Sequence, residues 1–200
     1  IAGATSRIEL CGAVKPGFRS PLLVARMIDT LSGIARRRLA IDVVCGWWQD
    51  EFQIAGVDWL DHGGRYDRAD AFLRTLNCLF DPEIDRSYFN SLLENEAFRQ
   101  DEAPGHRPHS FGLDKTNRPE IWVAGQSPRA VEMAAGWGDC LFLNGMGEDL
   151  LARKIAETRQ AAARWGRQVE IAINAYVIAT EEPEQAARRH AQLLQKRNDA

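Results

Sequence analysis

Short apolar runs alternate with longer amphipathic segments five times along this chain, and that alternation constrains its fold more than any other feature. Strands are predicted at 7–14, 39–45, 120–124, 139–143 and 169–179. Helices are predicted at 21–34, 66–80, 127–137, 148–165 and 182–198. The boundaries carry their own signals. Lys15-Pro16-Gly17 ends the first strand, Ser20 and Pro21 open the first helix, and Ser127 and Pro128 open the third. Five strand-then-helix units in a row predict a parallel α/β sheet with right-handed crossovers. An open doubly wound sheet and part of an eightfold barrel both satisfy the pattern, and in either the chemistry sits at the C-terminal strand ends.

Composition narrows the class. Of the 200 residues 45% are hydrophobic, which excludes a disordered chain. A net charge of -3 argues against a nucleic-acid binder, and no apolar run approaches the roughly 18 residues of a membrane span. Cys11, Cys45, Cys78 and Cys140 form no CxxC and read as four buried, reduced thiols of a cytoplasmic protein. His106 and His109 lie in a Pro/Gly/Arg stretch without a third ligand, so no metal site is expected. Residues 81–118 are polar, contain Pro82, Pro104 and Pro108, and read as an insertion or lid with a short helix near 88–99.

Four features at the strand ends carry candidate chemistry. Gly125-Gln126-Ser127-Pro128 follows a strand and opens a helix, a place where backbone N–H groups and the helix dipole suit an anion such as phosphate, or where Ser127 is an ordinary cap. Cys45-Gly46-Trp47-Trp48 ends the second strand; Gly46 permits close approach to a flat ligand, while the tryptophans either wall a ring or pack under the next loop. Asp61-His62-Gly63-Gly64-Arg65-Tyr66 supplies a titratable ring, a cation and a phenol, or merely an Arg65 paired with Asp61 or Asp70 and an exposed His62. Asn174 and Tyr176, two apart on the last strand, point to one side, where they either line a cavity, the favoured reading, or reach the neighbouring loops. Asp42, within an otherwise apolar strand, is either paired or facing a functional cavity.

Taken in order, these stretches resemble the bacterial luciferase-like flavin monooxygenases, in particular the two-component enzymes acting on alkanesulfonates and dimethyl sulfone. The matching pieces include Thr5 to Val14 with Pro16-Gly17, Ala25-Arg26-Met27, Val43-Val44 with Gly46-Trp47, and Asp50-Glu51-Phe52. Trp59-Leu60-Asp61-His62 with Arg65-Tyr66, Pro119-Glu120-Ile121 with Gly125 and Ser127, Asn144-Gly145, and Asn174 to Ile178 complete them. The resemblance implies a (β/α)8 TIM-type barrel binding reduced FMN at its C-terminal mouth. Asp42, Cys45, Gly46, Tyr66, Gly125, Gln126 and Ser127 would border the flavin, with its phosphate at Gly125–Ser127.

It further implies FMNH2 delivered by a separate NAD(P)H-dependent flavin reductase, O2 as co-substrate, a flavin (hydro)peroxide as oxygenating species, and a homo-oligomer, dimer or tetramer. His62, Asn174 and Tyr176 would face the reacting oxygen as catalytic residues. The expected activity is monooxygenation of a small organosulfur or related compound. A deazaflavin-dependent oxidoreductase of the same superfamily and a non-catalytic partner subunit are the alternatives. Asn174 and Tyr176 stand where the alkanesulfonate enzymes carry Arg and His, so an uncharged sulfone is easier to support than a sulfonate. A complete barrel of this kind needs about 250 residues. The whole chain, 1–200, is therefore read as a single barrel domain incomplete at both ends, supplying about five βα units.

Overall fold

The computed structural model describes residues 1–94 and 113–198. Its strands are β1 (Leu10–Val14), β2 (Leu39–Val44), β3 (Glu120–Ala124), β4 (Cys140–Asn144) and β5 (Glu170–Asn174). The α-helices are α1 (Pro21–Ala35), α2 (Gln49–Ile54), α3 (His62–Phe80), α4 (Arg86–Glu94), α5 (Pro128–Trp137), α6 (Glu148–Arg164) and α7 (Pro183–Asn198).

All strand pairs are parallel, and the order is β1-β2-β3-β4-β5. This order decides between the two architectures. A doubly wound sheet reverses direction at a switch point. Here each strand lies beside its chain neighbour, so right-handed crossovers place successive helices on one face. Accordingly α1 packs on α3, α3 on α5 and α5 on α6. That is the winding of a barrel.

The two sheet faces differ as the alternation of strand side chains requires. Toward the helices point Ile41, Val43, Ile121, Val123, Leu141 and Leu143, all buried, with Ile41 beside Ile121 and Val43 beside Val123. They meet Phe72, Leu73 and Leu76 of α3 and the alanines 134, 135, 161 and 162 of α5 and α6 in one core. On the opposite face, Ala13, Asp42, Trp122, Cys140 and Glu170 lie in one row across all five strands.

Among the described residues, no strand pairs with the outer edges of β1 and β5, and apolar side chains are exposed beside both. Leu23, Met27, Leu31 and Ile34 form an exposed stripe along α1. Ile171 and Ile173 of β5 line a groove with Leu151 and Ile155 of α6. Neighbouring units of an eightfold barrel cover such faces.

At the N-terminal strand ends a charged cluster ties the layers together. Asp139 Oδ2 accepts from Arg118 Nη1 at 2.8 Å and from the Ile121 amide at 2.9 Å, while Oδ1 accepts from Arg167 Nη2 at 3.3 Å. Arg118 Nε also donates to Asn77 Oδ1 of α3 at 2.9 Å.

Several sequence expectations need correction. Residues 49–54 form α2, a helix too short to show a period, anchored by the fully buried Phe52. Helix α3 starts at His62 rather than 66, because Asp61 caps it and offsets the weak helix propensity of Gly63 and Gly64. The strand predicted over 169–179 ends at Asn174, which leaves Tyr176 outside it. Cys11 is exposed rather than buried, since it lies on edge strand β1; Cys45, Cys78 and Cys140 are buried, and all four are free thiols. The short helix of the insertion runs Arg86–Glu94; residues 95–99, His106 and His109 lie outside the described residues.

Candidate active site

The C-terminal ends of β2 and β3 and the start of α3 converge on one place. After β3 the chain turns at Gly125, whose φ of 151° suits glycine. The Gly125 amide donates to Phe142 O of β4 at 3.1 Å, which fixes the turn. Ser127 then caps α5, its hydroxyl accepting from the Ala130 amide at 3.2 Å, with Pro128 at the first position. A Cβ on Gly125 would stand 2.8 Å from both the Tyr66 phenol oxygen and Ala130 Cβ. Only glycine leaves this floor intact.

Tyr66 reaches that floor from α3. It is buried, and burial pushes its phenol up, with the Ser127 side chain pulling the other way. One turn earlier, the exposed His62 ring lies 4.8 Å from the Tyr66 ring. Arg65 pairs with neither Asp61 nor Asp70. It donates to Leu60 O at 2.6 Å and lays its guanidinium 4.0 Å over Trp59.

Cys45, at the end of β2, is buried beside this group. Burial pushes its thiol up to about 12, outweighing the pull of Arg65 and Arg129, so it is an apolar wall rather than a nucleophile. Arg129 is the residue the sequence reading passed over. It stands at the second position of α5, pairs with Asp67, and its charge is felt by both Cys45 and Tyr66. Its signal was its place: a cation one residue past a Ser-Pro helix start.

Asp42 lies on β2 in the row facing away from the helices. Its Oδ1 is buried with no hydrogen-bond partner, and burial pushes its carboxyl up to about 6. Among the described residues nothing pairs with that oxygen.

The structure thus gathers Cys45, Gly46, His62, Tyr66, Gly125 and Ser127. Gln126 reaches along the strand ends, its Nε2 donating to Asn144 O at 3.4 Å, and Asn144 is in register with Asn174. Asn174 is joined to the group only through that row. Tyr176 is fully exposed beyond β5 and does not share a strand face with Asn174. Among the described residues no cluster of three or more His, Cys, Asp or Glu could hold a metal. No helix among them is long and apolar enough to cross a membrane. Chemically, the turn at Gly125, the cap of α5 and the Arg129 charge fit a phosphate group, with the Tyr66–Cys45 wall beside it.

The family model described as luciferase-like monooxygenase matches residues 1–199. The chain belongs to this family. Among its luciferase-like relatives, the FMNH(2)-dependent dimethylsulfone monooxygenase of Pseudomonas fluorescens (strain Pf0-1) is 31% identical over 194 residues, covering 97% of this chain and 50% of that protein. The enzyme of the same description from Pseudomonas putida is 31% identical over 196 residues, covering 98% and 51%. The chain spans about half the length of the curated relatives it matches. The crystal structure of DmoA from Hyphomicrobium sulfonivorans superposes with a TM-score of 0.72 at 21% identity, over 97% of this chain and 45% of that one. This last likeness shows that the five-stranded sheet has the luciferase-like fold.

Proposed function

We propose that this luciferase-like chain forms the flavin-holding part of an FMNH2-dependent monooxygenase that oxygenates a small uncharged organosulfur compound of the sulfone type. One observation carries the reading: the Gly125–Ser127 turn, closed over Tyr66, leads from the C-terminal end of β3 into the capped N-terminus of the next helix. Its placement agrees with the FMNH(2) dependence in the names of the two Pseudomonas relatives.

In this reading Ser127, Gln126 and the first-turn amides of α5 hold the phosphate, with Arg129 adding charge. The Cys45–Gly46 turn and Tyr66 border the ring system, and Asp42 lies on the face below it. His62 faces the reacting region from the first turn of α3, and Asn174 and Tyr176 from the β5 side. Reduced FMN, when bound, supplies the two electrons with which one oxygen atom of O2 enters the substrate and the other leaves as water. The protein's part is to fix the phosphate, keep an apolar thiol and a protonated phenol against the flavin, and exclude water. An NAD(P)H-dependent reductase supplies the reduced flavin, and the working form is a cytoplasmic homo-oligomer.

The test uses the full gene product under anaerobic conditions. FMNH2 is titrated in, isotopically labelled O2 is then added with and without dimethyl sulfone, and label in the sulfur product is followed by mass spectrometry. The reading expects FMNH2 binding and conversion of the sulfone to a product that retains one oxygen atom from O2. Failure to bind FMNH2, or preference for a reduced deazaflavin, overturns it.

A further inference from the structure

Trp47 and Trp48 are exposed to 79% and 48% at the C-terminal end of β2, beside the candidate site. Neither is buried. Among the described residues their ring contact is with each other, centroids 6.3 Å apart and planes 24° apart. Trp48 also occupies the N-cap of α2, where it makes no capping hydrogen bond. A Ser or Asp there would serve the helix better, so the helix does not account for the indole.

The helix that follows the pair is firmly packed. Phe52 is fully buried between Phe18, at 4.9 Å, and Trp59, at 5.1 Å, both edge-on. Lys15 pairs with Glu51 and ties α2 to the end of β1. Gly46, with φ of 97°, presses against the Phe52 ring where no side chain fits. Two indoles with much of their surface exposed therefore lie between the end of β2 and a packed aromatic cluster.

We propose that Trp47 and Trp48 form an aromatic wall that selects the substrate, favouring one that carries a flat, uncharged ring. The inference rests on the oxygenase reading for the reaction, and on the exposed pair for the selectivity. Indole faces attract apolar and aromatic groups and repel anions. The exposed carboxylate of Asp50, in the first turn of α2, disfavours an anion further.

The test compares methyl phenyl sulfone with dimethyl sulfone on the full gene product. Affinities are measured calorimetrically without flavin, KM values with FMNH2, and FMN affinity separately. Trp47→Ala and Trp48→Ala are expected to weaken methyl phenyl sulfone at least tenfold in both Kd and KM, and dimethyl sulfone less than threefold. Trp47→Phe and Trp48→Phe, which keep a ring, should stay within threefold of the wild type. Equal losses for both sulfones, no loss for either, or a loss confined to FMN overturns the wall. If the ring-bearing sulfone binds through the pair but no oxygen from O2 enters either sulfone, the oxygenase reading fails and the wall stands. If dimethyl sulfone is oxidised but no variant separates the two sulfones, the wall fails and the oxygenase reading stands.

Discussion

The phenol oxygen of Tyr66 fills the space that a side chain on Gly125 would need, 2.8 Å from the Cβ position. A residue of α3 thereby supports the turn that ends β3, and any group added at 125 must displace it. Gly125 also sits at φ of 151°, which is unfavourable for other residues. Gly125→Ala is therefore expected to weaken FMN by at least tenfold, about 1.4 kcal/mol. Tyr66→Phe, which keeps the ring and removes only the oxygen, should partly restore binding in the Gly125→Ala background. Flavin fluorescence quenching reads both, and an unchanged Kd in Gly125→Ala would remove Gly125 from the site.

Ser127 has two duties that separate by charge. As the N-cap of α5 it accepts from the Ala130 amide, a bond of about 1 kcal/mol. As part of the Gly125–Ser127 turn it faces an incoming anion. Ser127→Asp should keep the cap and the melting temperature but lower FMN affinity more than riboflavin affinity, because only FMN carries the phosphate. Ser127→Ala should lose the cap and lower the melting temperature by a few degrees. Equal effects of Ser127→Asp on the two flavins would place the phosphate elsewhere.

How much of this was legible in the sequence follows from what is local and what is not. The helix-facing residues Ile41, Val43, Ile121 and Val123 and the caps Ser20 and Ser127 could be read directly, since apolar runs and caps act over a few residues. The extent of β5 could not. Residues 175–179 look like strand, but Asn144 is the last residue β4 offers and it pairs with Asn174, so the ladder has no partner beyond. The Tyr66–Gly125 fit was hidden for a similar reason: both residues were candidates, but nothing in either segment says that they touch. The choice between barrel and open sheet likewise waited for the strand order.

Asp42 supplies a pH signature. Burial raises its carboxyl from the ordinary 3.8 to about 6. Between those values the folded chain keeps a proton that the unfolded chain releases, so this group makes stability fall as pH rises from about 4 to 6, with no recovery above. Asp42→Asn removes the effect. Its melting temperature should exceed that of the wild type near pH 8 and match it near pH 4. A gain of equal size at both values would mean that no buried charge is being relieved.

Asp139 gives the clearest stability prediction, because its partners come from several layers. Its carboxylate takes the Arg118 and Arg167 guanidinium groups and the Ile121 amide, and Arg118 in turn holds Asn77 of α3. Removing it strands two cations that are 24% and 28% exposed, together with a strand amide. Breaking a fully buried pair costs roughly 3–5 kcal/mol. With Asp139 itself 30% exposed, Asp139→Ala is expected to cost less, about 2–3 kcal/mol. With a urea slope of about 2 kcal/mol/M, the midpoint should fall by roughly 1 M or slightly more. The Arg164–Glu132 pair, with both side chains more than half exposed, provides the contrast. Glu132→Ala should cost under about 1 kcal/mol, and that cost should vanish in about 1 M NaCl through screening. The Asp139→Ala loss should persist there, because hydrogen bonds to a backbone amide and to half-buried guanidinium groups are not replaced by mobile ions. A salt-sensitive loss at Asp139 would show that the cluster is only a surface pair and that the sheet is held at this end by its core alone.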